Sequence, residues 1–336
     1  MTRAAILHGA GYTGRELIKL LLGHPRVELA AVTSRTFARQ PLWDVHSAMR
    51  GTASLSFSAP DEFSSNEVDA VFIAAEHGQG AVAAKTLIDG GYRGHIIDLS
   101  ADFRLPEKAD YEQRYERTHP APELAGTFTY GMADLRAPYP EGTTRIANPG
   151  CFATGLALSL TPFARAEGQV RAAVTALTGA SGSGAGAKST THFPDRQGNV
   201  RAYKVFSHQH EAELTQLLGS DSRVDFVPVS GPWTRGIWGT AQILGGRNDP
   251  REVFEEAYAG RPLVRLWPDQ LPELRWSVGT PFCDIGWVRR GEATVVGFGL
   301  DNLLKGAASQ AVHNLNLIAG WPETLGLLPE ANPVTA

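Results

Sequence analysis

Cys151 stands where a turn hands over to a helix. The stretch Arg145-Ile-Ala-Asn-Pro-Gly-Cys-Phe-Ala-Thr-Gly155 reads as strand, tight turn, cysteine and helix. Asn148-Pro149-Gly150 is turn chemistry, and Phe152 to Leu160 is an apolar run that continues as a buried helix. A thiol at a helix N-terminus meets unpaired N–H groups and the positive end of the helix dipole. There it is expected to lose its proton more easily and serve as a nucleophile. The competing reading is an inert buried cysteine. His208 and His210 lie two apart in Tyr203-Lys-Val-Phe-Ser-His-Gln-His-Glu-Ala-Glu-Leu214, so a strand or turn can present both to one side. A histidine facing a cysteine across a cleft would be an acid/base group. Surface histidines capping a helix from Glu211 are the plainer alternative, and no third ligand cluster supports a metal.

These residues need elements to hold them. Ala4–His8 reads as a buried strand, Gly9-Ala-Gly-Tyr-Thr-Gly14 fits G-x-G-x-x-G, and Arg15–Leu22 is a helix with an apolar face. In that context Gly9, Gly11, Tyr12, Thr13 and Gly14 would seat a dinucleotide pyrophosphate on the helix N-terminus. The second strand, Val27–Thr33, ends in Ser34 and Arg35, where an NAD site usually carries an acid. A hydroxyl and a guanidinium suit a 2′-phosphate, so the cofactor expected is NADP(H). Further strands at 68–75 and 94–98, with a helix at 81–88, give a doubly wound α/β domain. Its loops place Ser100, Asp102 and Arg104 near the cleft.

Beyond Cys151, a strand at 170–178 leads into Gly179-Ala-Ser-Gly-Ser-Gly-Ala-Gly186. A loop of small residues inside a domain reads as a nest of N–H groups for an anion rather than as a linker, with Ser181, Gly182 and Gly184 in it. Strands at 224–230, 236–244 and 293–299 suggest a mostly antiparallel sheet, and Asp249-Pro250 opens a helix. Arg235 reads as a free cation for an anionic substrate, or as a solvated arginine; Cys283 reads as structural. The organisation expected is a Rossmann domain over 1–150, a catalytic, substrate and oligomerisation domain over 151–301, and a C-terminal helix within 302–336 packed back on the first.

Composition narrows the class. The chain has 336 residues and a formal net charge of -4, with no basic surface arguing for nucleic acid. Two cysteines are too few for a disulfide scaffold, and no signal peptide or membrane-spanning run is seen, so a cytoplasmic protein is expected.

Taken together, Gly9–Gly14 with Arg15-Glu-Leu, Ser100-Ala-Asp-Phe-Arg104, Ala147-Asn-Pro-Gly-Cys151, Ser183–Gly186, His208-Gln-His210 and Asp301-Asn302-Leu-Leu-Lys-Gly306 resemble the N-acyl-amino-acyl-phosphate reductases. These comprise N-acetyl-γ-glutamyl-phosphate reductase of arginine synthesis and the carrier-protein-linked aminoadipyl-phosphate reductase of lysine synthesis. The resemblance implies a fold like glyceraldehyde-3-phosphate and aspartate-semialdehyde dehydrogenases, Cys151 as nucleophile, and His208 with His210 at the acid/base and substrate end. It implies NADP on the glycine loop and the Ser34-Arg35 turn, Asn302 at its nicotinamide end, and a homotetramer. Lys204, Arg104 and Arg235 are candidates for the substrate's phosphate and carboxylate. Gln209 departs from the family's His-Arg-His, and His192-Phe-Pro-Asp-Arg-Gln-Gly and Arg201-Ala-Tyr-Lys204 look closer to the lysine branch, whereas Asn148-Pro-Gly-Cys looks like the arginine branch. The acyl phosphate is thus either a small molecule or borne on a small carrier protein. Rivals are an aspartate-semialdehyde-dehydrogenase-like reductase and a dinucleotide-binding sensor with no chemistry.

Overall fold

The computed structural model describes residues 1–329. The first sheet contains β1 (Thr2–Leu7), β2 (Val27–Thr33), β3 (Phe57–Ser58), β4 (Ala70–Ile73), β5 (His95–Asp98), β6 (Thr129–Tyr130) and β7 (Arg145–Ala147). Their order is β3-β2-β1-β4-β5-β7-β6, and every pair is parallel. The chain therefore reverses its winding between β1 and β4, the place where such sheets open a ligand crevice. Alternation along β1 sorts its side chains to two cores. Ala4 and Ile6 pack with Leu17 of the helix Tyr12–Leu22 and with Val312 and Leu315 of the helix Ser309–Ile318. Ala5 and Leu7 pack on the other face with Ala81, Ala84 and Leu87 of the helix Gln79–Asp89.

The second sheet contains β8 (Arg171–Thr178), β9 (Arg201–Ala202), β10 (Arg223–Ser230), β11 (Ile237–Leu244), β12 (Val264–Pro268), β13 (Cys283–Arg290) and β14 (Ala293–Leu300). Its order is β12-β13-β14-β11-β8-β10-β9; the β12–β13 and β8–β10 pairs are parallel and the rest antiparallel. β9, β12 and β13 were not expected as strands. Cys283 is fully buried in β13, in keeping with a structural role. The helix Cys151–Glu167 lies over this sheet, with Phe152, Leu156 and Leu160 in one core with Ala172, Val174 and Ala176. Gly155 permits the approach, since a Cβ there would come within 2.5 Å of the Phe298 ring. Pro162 sits inside this helix and cannot donate to the Leu158 carbonyl. The Tyr258 hydroxyl, from the helix Pro250–Tyr258, donates to that carbonyl instead.

The expected C-terminal helix is present and shorter than the 302–336 segment. A π-helical turn, Leu304–Ala308, precedes the helix Ser309–Ile318, and turns follow to 329. The helix does pack back on the first sheet, with Ala308 and Ala311 against the β1 core. Positions 330–336 of the expected segment lie outside the described residues. Lys305 in the π turn is wholly buried and donates to Asp134 at 2.6 Å, holding this segment to the connection before β7.

Candidate active site

A cleft of about 860 Å³ opens at the C-terminal ends of β1, β4 and β5 and runs to the start of the Cys151 helix. At the β1 end it is lined by Gly11, Tyr12, Thr13, Gly14, Ser34 and Arg35. The three glycines of the turn differ in purpose. A Cβ on Gly14 would sit 2.2 Å from the Gly9 carbonyl oxygen, so Gly14 lets the helix close on the strand. A Cβ on Gly9 would meet Val32 at 2.4 Å, and Gly9 does not line the cleft; its role is packing. Gly11, the N-cap, has nothing within 4 Å of its missing Cβ, which leaves room for a ligand at the helix N-terminus. These residues fit a dinucleotide: an open helix start, a free glycine edge and an exposed Arg35 beyond β2. Ser34 is less free, because its hydroxyl accepts from the Phe37 N–H.

At the other end Cys151 is the first residue of its helix, with Gly150 as N-cap, and it keeps part of its surface open to the cleft. The thiol is nevertheless not acidified. Burial pushes it up to about 11, outweighing the nearby Arg104 and the Phe152 N–H, which pull it down. The expected lowering by the helix dipole is thus overridden by desolvation. His208 and His210 both line the cleft and are both buried, which removes the surface-cap alternative. Lys204 and Phe206, both with left-handed φ, turn the chain out of β9 towards them. The His208 Nδ1 accepts from the His210 N–H at 3.2 Å, so the network assigns the proton of the neutral ring to Nε2. Burial first, and His210 and Lys204 next, lower His208 to about 2, so the ring is neutral at physiological pH. His210 is lowered by burial and Arg104.

Glu213 was not foreseen. It is fully buried on the helix Glu211–Leu218, and its carboxylate accepts from the Gly150 N–H at 2.9 Å, the Tyr130 hydroxyl at 2.8 Å and Arg104 Nη1 at 3.2 Å. It therefore fixes Gly150, the residue immediately before Cys151. Gly150 must be glycine for this packing, since a Cβ would lie 2.4 Å from His210 Nε2 and 2.7 Å from Glu213 Oε1. The signal was the spacing His210-x-x-Glu213, which puts the two side chains one above the other at a helix start.

Two expected substrate cations are otherwise engaged. Arg104 lines the cleft but is spent on Glu213 and on the carbonyls of Asn148 and Leu99. Asp102, two residues before it, accepts from the Gly78 and Ala81 N–H groups, at the start of the helix Gln79–Asp89. Arg235 is not free. It pairs with Asp301 at 2.6 Å and Glu16 at 3.2 Å, does not line the cleft, and ties the Tyr12–Leu22 helix to the segment entering the π turn. Lys204 does line the cleft, its ammonium donating to Gln209 at 3.0 Å.

The glycine-rich loop is not a flexible linker, and its first half is not an open nest. Residues Ala180–Ser183 form a 3-10 turn, and the N–H groups of Gly179, Ala180, Ser181, Gly182 and Gly184 all go to backbone carbonyls. Ser181, Gly182 and Gly184 still line the cleft. Asn302 reaches across to them: its amide donates to the Ser181 hydroxyl at 3.0 Å, and its oxygen accepts from the Gly236 N–H at 2.6 Å. Among the described residues no group of His, Cys, Asp and Glu could hold a metal. Among the same residues no helix is long and apolar enough to cross a membrane.

A parallel sheet with an open glycine turn, joined through one cleft to a mixed sheet bearing a cysteine at a helix start, defines a dinucleotide-dependent oxidoreductase of the two-domain dehydrogenase class. The semialdehyde dehydrogenase NAD-binding domain model matches residues 3–137, and the semialdehyde dehydrogenase dimerisation domain model matches 151–302. The N-acetyl-gamma-glutamyl-phosphate reductase of Methanosarcina mazei is 39% identical, over 97% of each chain. The [LysW]-L-2-aminoadipate 6-phosphate reductase of Deinococcus radiodurans is 37% identical, over 96% of this chain and 95% of its own. Aspartate semialdehyde dehydrogenase from Candida albicans, solved with NADP, superposes with a TM-score of 0.68 at 15% identity, covering 95% of this chain and 98% of its own. The chain belongs to the semialdehyde dehydrogenase family, in the branch that holds the N-acetyl-γ-glutamyl-phosphate and LysW-aminoadipate-phosphate reductases.

Proposed function

We propose that this protein reduces N-acetyl-γ-glutamyl phosphate to N-acetylglutamate 5-semialdehyde with NADPH, as a step of arginine biosynthesis in the cytoplasm. The observation that carries the reading is Cys151 at a helix start, in the same cleft as the open turn at Gly11. The Cys151 sulfur attacks the acyl carbon, the C–O bond to phosphate breaks, and the thiol proton leaves with the phosphate as hydrogen phosphate. A thioester remains on Cys151. The oxyanion formed on attack is met by N–H groups of the first helical turn, which have no intrahelical acceptor. Loss of one such donor typically costs about 2.7–4 kcal/mol of barrier. Neutral His208 offers its Nε2–H as a further donor, and buried Glu213 holds Gly150 so that Cys151 stays in register. NADPH held between Gly11–Gly14 and Asn302, with its 2′-phosphate towards Ser34 and Arg35, would supply the hydride for reduction of the thioester; the C–S bond then breaks, releasing the semialdehyde, and the Cys151 sulfur takes back a proton. In this reading residues 1–150 with the terminal helix bind the dinucleotide, residues 151–301 carry the chemistry, and four copies assemble.

The test is phosphate-dependent oxidation of N-acetylglutamate 5-semialdehyde, measured beside the LysW-linked aminoadipate analogue, with NADP and NAD in turn. Preferred turnover of the free acetyl compound with NADP supports the proposal. The carrier-linked reading is kept because the Deinococcus relative is about as similar as the arginine-branch one; preference for the carrier-linked substrate would establish it. Turnover of neither would leave a dinucleotide-binding sensor.

A further inference from the structure

The chain is acidic overall, yet its cleft is basic. Arg35, Arg104, Lys188, Arg196, Arg201 and Lys204 line it, against Glu76 as the single Asp or Glu. Arg104 is consumed by Glu213, and Arg35 stands at the β2 end. Four cations remain on one flank, in the segment that crosses from the glycine loop to His208. Arg196 is the unusual one. It ends the short helix Phe193–Arg196 and is only 9% exposed. Its Nη2 donates to the Thr178 carbonyl at 3.1 Å, and its Nε is buried with no hydrogen-bond partner. No carboxylate pairs with Arg196 or Arg201 among the described residues.

A buried guanidinium with an unused N–H and no counter-ion is costly unless an anion completes it. Arg196, Arg201, Tyr203 and Cys151 all line the one cleft, so an anion held by these guanidiniums would share it with the thiol. We propose that Arg196 and Arg201 form an oxyanion subsite in the Cys151 cleft that takes an acidic group of the substrate, phosphoryl or carboxylate. The fork of Arg196, steadied by Thr178, suits a bidentate oxyanion. Arg201, exposed on the edge strand β9, adds charge and helps draw the substrate in.

This subsite rests on the acyl-phosphate reading, and the experiment separates the two. In the oxidative direction the phosphoryl and carboxylate groups arrive on different molecules, inorganic phosphate and the semialdehyde. The full-length Arg196→Gln and Arg201→Gln variants should raise the KM of one of them about tenfold or more, with NADPH dissociation unchanged. Arg196→Lys should restore part of the loss. A rise in the phosphate KM assigns a phosphoryl subsite, and a rise in the semialdehyde KM a carboxylate one. Neither KM moving, or NADPH binding failing along with both, overturns the proposal. If the parent does not turn over these substrates, calorimetric titration with inorganic phosphate and with N-acetylglutamate still decides. At least one should bind the parent and be lost in Arg196→Gln; equal binding to both proteins, or to neither, refutes the subsite.

Discussion

At the β1 end of the cleft, recognition is left to main chain: a helix start, Gly11 with nothing beside it, and Gly14 packed against Gly9. At the Cys151 end it is left to side chains from distant segments. Arg104, Tyr130, Gly150 and Glu213 meet there, and they are separated by up to 109 residues in sequence. The first end is stiff because backbone geometry fixes it. The second is held by a buried carboxylate with three donors, so it is both more exacting and more easily broken.

Substitutions can test that contrast directly. Cys151→Ser should lower turnover most, on the order of 10⁶-fold if a covalent nucleophile is lost. Fluorescence titration should find NADPH binding intact, because the β1 end is built separately. Loss of NADPH binding in the same variant would show that the two ends are not independent. Glu213→Ala leaves Arg104 buried without its partner, and should cost about 3–5 kcal/mol of stability. Chemical denaturation reads this, and Glu213→Gln should recover part of it by still accepting from Gly150.

Glycine variants sharpen the other half of the comparison. Gly14→Ala forces a Cβ to 2.2 Å from a backbone oxygen and should lower the melting temperature and weaken dinucleotide binding together. Gly11→Ala meets nothing in the protein, so its melting temperature should hold while dinucleotide affinity falls. The smallest effect belongs to Arg35→Gln. A lost charge-assisted hydrogen bond is worth about 1.5–3 kcal/mol, so NADP should weaken by about tenfold or more while NAD is unaffected.

The contrast also explains how far the sequence could be read. The Gly9–Gly14 turn, the parallel strands around it and the Asn148–Cys151 turn are local patterns, and their positions follow from neighbouring residues alone. The cleft gathers most of the residues singled out by type, including Cys151, His208, His210, Lys204 and Asn302. Ionisation and pairing were not legible, because they depend on partners far along the chain. Cys151 is raised rather than lowered because burial exceeds what the helix start contributes. Arg235 pairs with carboxylates far before and far after it in the chain, Glu16 and Asp301, and no local pattern announces such a clasp. The first half of the glycine loop follows the same rule: its N–H groups find acceptors in Trp233, Thr234 and Gly236 as well as within the loop.

The most direct measurement mixes the protein with N-acetyl-γ-glutamyl phosphate in the absence of dinucleotide, and follows phosphate release together with the mass of the Cys151 peptide. The account predicts a burst approaching one phosphate per active site and an acyl adduct on Cys151, both absent in Cys151→Ser. Steady reduction of the same substrate on adding NADPH, with no burst and no adduct at Cys151, would contradict it.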